Sequence, residues 1–254
     1  MRSNWTREEL IVALNLYYKL GFTNVKYTHP KVIELARIIN RTPSAVAYKL
    51  VNFARLDPEL QKRGVKGMSH GSKAEEIVWN EFNGDLEKIA QASEPLLAEF
   101  KKIPLEESLG LNTYDLPKEG KERERVVKVR VNQYFFRDVL LALYKNACCI
   151  TGISTPQLLV AGHILTWSKS KENRMNLSNG LCLNALHDVA YESGLISITP
   201  DYQIKISSVL KKQKKNQNIQ EYFLKYENEK IILPHVHLPN PEFLNKHFKE
   251  RFIK

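Results

Sequence analysis

Two short apolar runs, a polar stretch between them and a helical pattern directly after them limit most strongly what this chain can fold into. The first run, Leu158 to Ala161, closes on His163. The second, Gly180 to Leu183, is opened by Asn179. Short apolar runs bounded by turn formers suit strands, and two of them so close together suit a hairpin. The pattern then becomes helical through NALHDVAYE, which puts His187 in a first helical turn. The two histidines are 24 positions apart, enough for a hairpin return plus one turn of helix.

Each residue type suits a distinct task. A neutral imidazole is a good base near pH 7, and His163 is expected at a strand end facing a groove. An asparagine amide donates and accepts together, so Asn179 can pin the loop between the strands and fix the pose of His163. His187 can point back at the hairpin and bind a metal ion. Asp188, next to it, can take that place instead or orient the ligand. Glu192, five positions after His187, is the lesser ligand candidate and suits capping or pairing. Lys171 and Arg174 lie between the strands, where a cation either clamps a phosphate or is merely solvated. Cys149 and Cys182 read as small core residues, and Trp167 as a packing residue.

Four segments carry a family resemblance: CITG (149–152), GHI (162–164), NGLCLNALHD (179–188) and YESGLISI (191–198). This stretch of about fifty residues resembles an HNH nuclease domain of the ββα-metal fold. The preceding RVNQYFFRDVLLALY, with Gln133 and Arg137, is similar to the helix before that domain in a group of bacterial restriction endonucleases. The resemblance implies His163 as general base, Asn179 as the loop-fixing residue and His187 as metal ligand, with Asp188 competing for that role. It implies a divalent metal, Mg²⁺ first and Mn²⁺ next, and double-stranded DNA as the substrate. It also implies restriction of foreign DNA, at a short sequence or at modified bases. One such site per chain cuts one strand, so a homodimer is expected on duplex DNA. Many HNH proteins carry an aspartate just before the base histidine, and here that position is Gly162. A DNA-binding regulator on a non-catalytic HNH-like scaffold is the alternative. The intact set of His163, Asn179 and His187 favours the enzyme.

The formal net charge is +10 and the sequence pI about 9.4, a balance that suits a polyanionic partner. Three cysteines, two of them adjacent and none in a C-x-x-C pair, exclude a four-cysteine zinc site and suit a reducing compartment. No structural zinc is expected. The first residues carry no signal pattern, and no apolar run approaches the ~20 residues of a membrane helix. A cytoplasmic protein without membrane contact is expected.

The fold class read from these patterns is α+β. Residues 1–102 are expected to form a helical DNA-binding domain. Thr6 and Glu9 make a capping box for a first helix, a second runs over 30–40, and Thr42 caps a third. Three short helices with Lys49 and Arg55 on the third resemble a helix-turn-helix or Myb-like module, in which those two cations would touch DNA. Glycines over 61–72 read as a hinge. Residues 103–125, with two prolines and two glycines, are expected as a linker, and 126–254 as the nuclease domain with a C-terminal extension. Within it, VVKVRV reads as strand-like, followed by a helix from Gln133. Arg137 on that helix suits either a buried ion pair or a phosphate contact. GLISITPDYQIKI reads as two strands joined near Pro200, and the C-terminus as a short basic amphipathic helix.

Overall fold

Thr6 and Glu9 close their capping box: Glu9 N donates to Thr6 Oγ1 at 3.2 Å and Thr6 N to Glu9 Oε2 at 2.9 Å. The computed structural model describes residues 4–21, 24–64, 71–168 and 170–254. Residues 65–70 of the expected hinge lie outside this set. The chain divides into two compact units, Met1–Val139 and Leu140–Lys254.

The first unit is helical: α1 (Arg7–Leu20), α2 (Pro30–Ile38), α3 (Pro43–Leu56), α4 (Pro58–Lys62), α5 (Lys73–Phe82), α6 (Leu86–Lys101), α7 (Leu105–Ser108) and most of α8 (Gly120–Leu143). Side-chain caps set the starts. Thr42 Oγ1 accepts from Ala45 N at 3.2 Å, and Ser72 forms a second capping box with Glu75. α1 lies against α3, α5 and α6, and buries Leu10 and Leu14 with Leu50, Phe53, Trp79 and Ile89. Each such side chain contributes roughly 1.5–3 kcal/mol on leaving water.

Two expectations need correction. VVKVRV is not a strand: it lies inside α8. The alternating valines imitate a period of two, but Val131, Phe135, Phe136 and Val139 bury one helical face. Residues 103–125 are also not an open linker. They hold α7, a 3₁₀ turn at Thr113–Asp115 and the first turns of α8. Arg123 ties them by donating to Glu106 Oε1 (2.6 Å) and the Pro117 carbonyl (2.9 Å). Residues 126–139 belong to the first unit, because Gln91 Nε2 donates to the Lys128 carbonyl and Asn132 Oδ1, and Lys19 sits over the Phe135 ring.

The second unit opens with an antiparallel hairpin. β1 (Leu159–His163) pairs with β2 (Gly180–Asn184) in a register that sets Leu159 opposite Asn184 and His163 opposite Gly180. α9 (Ala185–Glu192) follows without a break and lies against both strands. A second hairpin, β3 (Ile196–Ile198) with β4 (Ile204–Ile206), buries its four isoleucines. α10 (Ser208–Lys211), α11 (Gln217–Tyr222) and α12 (Pro241–Glu250) complete the unit. The three cysteines are free thiols in its core, where Cys149 N donates to the Cys182 carbonyl at 2.7 Å. No helix among the described residues is long and apolar enough to cross a membrane.

Candidate active site

The loop 164–178 leaves β1 and returns to β2, with Ile164 and Leu177 buried at its two ends and a mostly polar stretch between them. Asn179 supplies the hold. Its Oδ1 accepts from Leu165 N at 2.8 Å, and its Nδ2 donates to the carbonyls of Leu165 and Asn173, both at 3.1 Å. Its own carbonyl accepts from Ile164 N at 2.9 Å. Asn179 is fully buried. One amide thus satisfies three backbone groups, and an alanine there would leave all three without that partner.

The pinned loop returns Arg174 to the end of β1. His163 Nε2 lies 3.0 Å from the Arg174 carbonyl oxygen, which can only accept. The proton is therefore on Nε2 and the lone pair on Nδ1. The Trp167 ring meets the imidazole edge to face at 5.2 Å. Arg174 packs on the same indole: its guanidinium is 5.0 Å from the Trp167 ring centre and its Nε donates to the Trp167 carbonyl at 2.8 Å. Burial lowers the His163 pKa below the usual histidine value. The hydrogen bond to the Arg174 carbonyl opposes that, the Arg174 charge adds to it, and the Glu192 charge opposes it. His163 is neutral at pH 7.

The first turn of α9 separates the two competing residues. Asn184 caps the helix: its Oδ1 accepts from His187 N at 2.9 Å, and its Nδ2 donates to His187 Nδ1 at 2.8 Å. His187 Nε2 donates to the Tyr222 carbonyl at 2.8 Å. The ring packs edge-on against Phe223 and Tyr226 and is 2% exposed. Both ring nitrogens are engaged in the interior, so the expected metal ligand offers no lone pair to an ion. Asp188 faces the other way. A Cβ added at Gly162 would stand 2.5 Å from Asp188 Oδ1, so this carboxylate occupies the space beside β1 that a side chain at 162 would need. The glycine before the base histidine and the aspartate of α9 are thus complementary.

Glu192 stands one helical turn after Asp188, an i, i+4 pair on one face. It is exposed. Burial, followed by the charge of Glu192, raises the Asp188 pKa to about 6. Two carboxylates that repel each other beside a neutral imidazole make a place where a divalent cation relieves strain. Among the described residues no set of three or more His, Cys, Asp and Glu side chains is arranged to hold a metal ion. A cation held by one or two carboxylates keeps water or phosphate oxygens in its other positions, as Mg²⁺ does.

The remaining cations divide between the units. Arg174 is half-buried beside His163, and Lys171 is exposed on the same loop. Arg137 is half-buried on α8, within the first unit. Lys49 and Arg55, expected to touch DNA, are both engaged with carboxylates of α5. Lys49 Nζ is bonded to the fully buried carboxylate of Glu75, and Arg55 Nη2 pairs with Glu76 at 3.0 Å. Both acidic partners sit in the first turn of α5, which packs on α3. Sequence reasoning passed over Asn184, and it noted Gly162 only as a departure from the family pattern. The signal for Asn184 was its place three residues before His187, at a helix start.

No curated protein matches this chain. The family model described as HNH endonuclease does match, over residues 148–199, a span that takes in β1, the pinned loop, β2 and α9. This chain carries an HNH endonuclease domain in its C-terminal unit.

Proposed function

We propose that the second unit is the catalytic part of a divalent-metal-dependent DNA endonuclease. The observation that supports this most is His163 Nε2 bonded to the Arg174 carbonyl, with the Asp188 carboxylate beside the same strand end. On this reading Nδ1 of His163 takes a proton from water as the water oxygen attacks phosphorus. The Arg174 carbonyl then stabilises the imidazolium through Nε2–H. Asn179 keeps that carbonyl in place by holding the loop. The Arg174 guanidinium, held over the Trp167 ring that packs on the base, would meet the phosphate. Asp188 and Glu192 would hold the cation, which supplies charge neutralisation on the phosphate and the leaving 3′ oxygen. His187 has a structural part in this scheme: it locks the start of α9 and so aims Asp188.

The DNA grip falls to the second unit, where fifteen Lys and Arg stand against nine Asp and Glu between Leu140 and Lys254. A site of this kind cuts one strand, so duplex cleavage takes two chains. Restriction of foreign DNA is the role that the resemblance to restriction endonucleases supports. The test is nicking of supercoiled plasmid in Mg²⁺ or Mn²⁺ by the parent and by His163→Ala. Removal of a general base costs about 10²–10⁴-fold, so the parent should nick and the variant should lose at least about 100-fold. A parent inert in both metals, or a variant as fast as the parent, would overturn the proposal.

A further inference from the structure

The second unit carries a basic helix that takes no part in the proposed chemistry. α12 is tied to the candidate site at both ends. At its start Asn240 N donates to the Ser178 carbonyl at 2.9 Å, next to the loop-fixing Asn179. Past its end Ile253 N donates to the Gly194 carbonyl at 3.0 Å, two positions beyond Glu192. Gly194 has φ +72°, and the Arg251 carbonyl lies so close to it that a Cβ would not fit. Between these ties His247 is 2% exposed and stacks on Tyr191 of α9, with ring centres 3.7 Å apart. Its Nε2 donates to the Tyr191 carbonyl at 3.1 Å, so its Nδ1 accepts from Ser197 Oγ at 2.9 Å. Burial pulls the His247 pKa down to about 4, so this contact is uncharged at pH 7.

The face that this packing leaves to solvent is cationic. Lys246 and Lys249 are exposed and three residues apart, so they share one side of the helix. Their separation is about 4.5 Å along the helix axis, on the scale of the roughly 3.4 Å between phosphates of one strand along a duplex. Arg251 and Lys254 follow, both exposed. Among the described residues none of these four side chains makes an ion pair. The acids of the same segment are Glu242 and Glu250, so four cations stand against two carboxylates between Asn240 and Lys254. Lys246 acts on the pinned loop. The Glu172 pKa is lowered first by its own backbone hydrogen bond, then by Ser170, and the Lys246 charge adds to that. The helix therefore lies beside the end of the hairpin where Gly180 faces His163 and where the Glu192 charge is felt.

We propose that α12 and the residues after it grip the backbone of duplex DNA on the flank of the site, with Lys246, Lys249 and Arg251 on phosphates outside the scissile one. This rests on the reading of the second unit as a DNA endonuclease, in which Arg174 and the cation meet the scissile phosphate itself. Contacts of this kind set affinity and orientation and carry no base readout. The buried His247 and the two backbone ties present the cations from a fixed element, so little ordering is needed when the duplex arrives.

Fluorescence anisotropy of the full chain with a labelled duplex of about 20 base pairs, in EDTA and over a series of salt concentrations, tests the proposal. Binding is read without metal, so the result stands whether or not the parent nicks plasmid. The parent should bind, with log Kd rising steeply with log salt. Lys246→Gln, Lys249→Gln and Arg251→Gln combined should weaken binding at least about tenfold near 0.1 M salt and lower the slope by about 2–3, since each lost phosphate contact removes about 0.9. Circular dichroism checks the fold of that variant, and Lys249→Gln alone, with a slope lower by about 1, decides where the triple does not fold. Lys102→Gln, Lys118→Gln and Lys121→Gln combined remove the same charge from exposed positions of the helical unit and should bind as the parent does. A parent that does not bind the duplex, a folded α12 variant with the parent's slope, or an equal loss in the helical-unit variant would overturn the proposal.

Discussion

The two units treat charge in opposite ways. In the helical unit the inward cations are matched: Lys49 with Glu75, Arg41 with Glu9 at 2.8 Å, Lys19 with Glu94 at 2.6 Å. In the nuclease unit Asp188 and Glu192 stand on one helix face, and among the described residues neither has an ion pair. Matched charges hold elements together. Two carboxylates on one helix face, one half-buried and one exposed, favour a cation between them. The difference explains why lysine and arginine on α3 are poor candidates for DNA contact, although their sequence position suits it. On the proposed reading it also favours the aspartate next to the expected ligand as the tether for the cation.

The largest expected effect tests the matched side. Glu75→Gln leaves Lys49 half-buried beside a neutral amide, and breaking a buried pair costs about 3–5 kcal/mol. Urea unfolding should show a loss of about 3 kcal/mol, with the nicking rate of the folded fraction unchanged. A loss below about 1 kcal/mol, the range of a surface pair, would show that the match is incidental.

Next in size is Gly162→Ala. Its Cβ would stand 2.5 Å from Asp188 Oδ1 and drive the carboxylate away. A displacement of about 1 Å can reduce a rate about 100-fold. A loss of that order is expected in single-turnover nicking, with His163 still in place. An unchanged rate would mean that Asp188 is not where the cation binds.

The pH profile tests the unmatched side. Asp188 has a raised pKa, about 6, and His163 a lowered one. Both must lose their proton to act, and Arg174 and Glu192 are the charged groups facing them. Activity should therefore be flat above pH 7 and fall about tenfold per unit below pH 6 as Asp188 is protonated. The stability sign is opposite. An aspartate with a raised folded pKa destabilises the apo fold as it ionises, so in the absence of metal this residue adds stability as pH falls from 7 to 5. Added Mg²⁺ should reverse that trend in thermal melts, and parallel melts with and without metal would contradict it.

Local sequence showed part of this. The Thr6–Glu9 capping box, the hairpin strands and the start of α9 are consequences of neighbouring residues, and the pattern carried them. The pairing of Lys49 with Glu75 joins residues 26 positions apart and depends on how α5 packs on α3, which no local pattern shows. VVKVRV went wrong for a related reason: of its six residues only Val131 is buried, on a helical face that continues through Phe135 and Val139. The choice between His187 and Asp188 was within reach. Tyr191, four after His187, is an aromatic that belongs inside, and Glu192, four after Asp188, is an acid that belongs outside. Helical periodicity alone assigns His187 to the inner face and Asp188 to the outer one.

The central claim is that the exposed face of α9, not its buried histidine, tethers the cation opposite His163. Single-turnover plasmid nicking by Asp188→Asn and His187→Gln, each corrected for its folded fraction, tests it most directly. The account predicts that Asp188→Asn loses about 100-fold or more, in part restored by high Mn²⁺, while His187→Gln keeps its rate within about tenfold. The reverse ranking, with His187→Gln inactive though folded and Asp188→Asn near the parent, would contradict it.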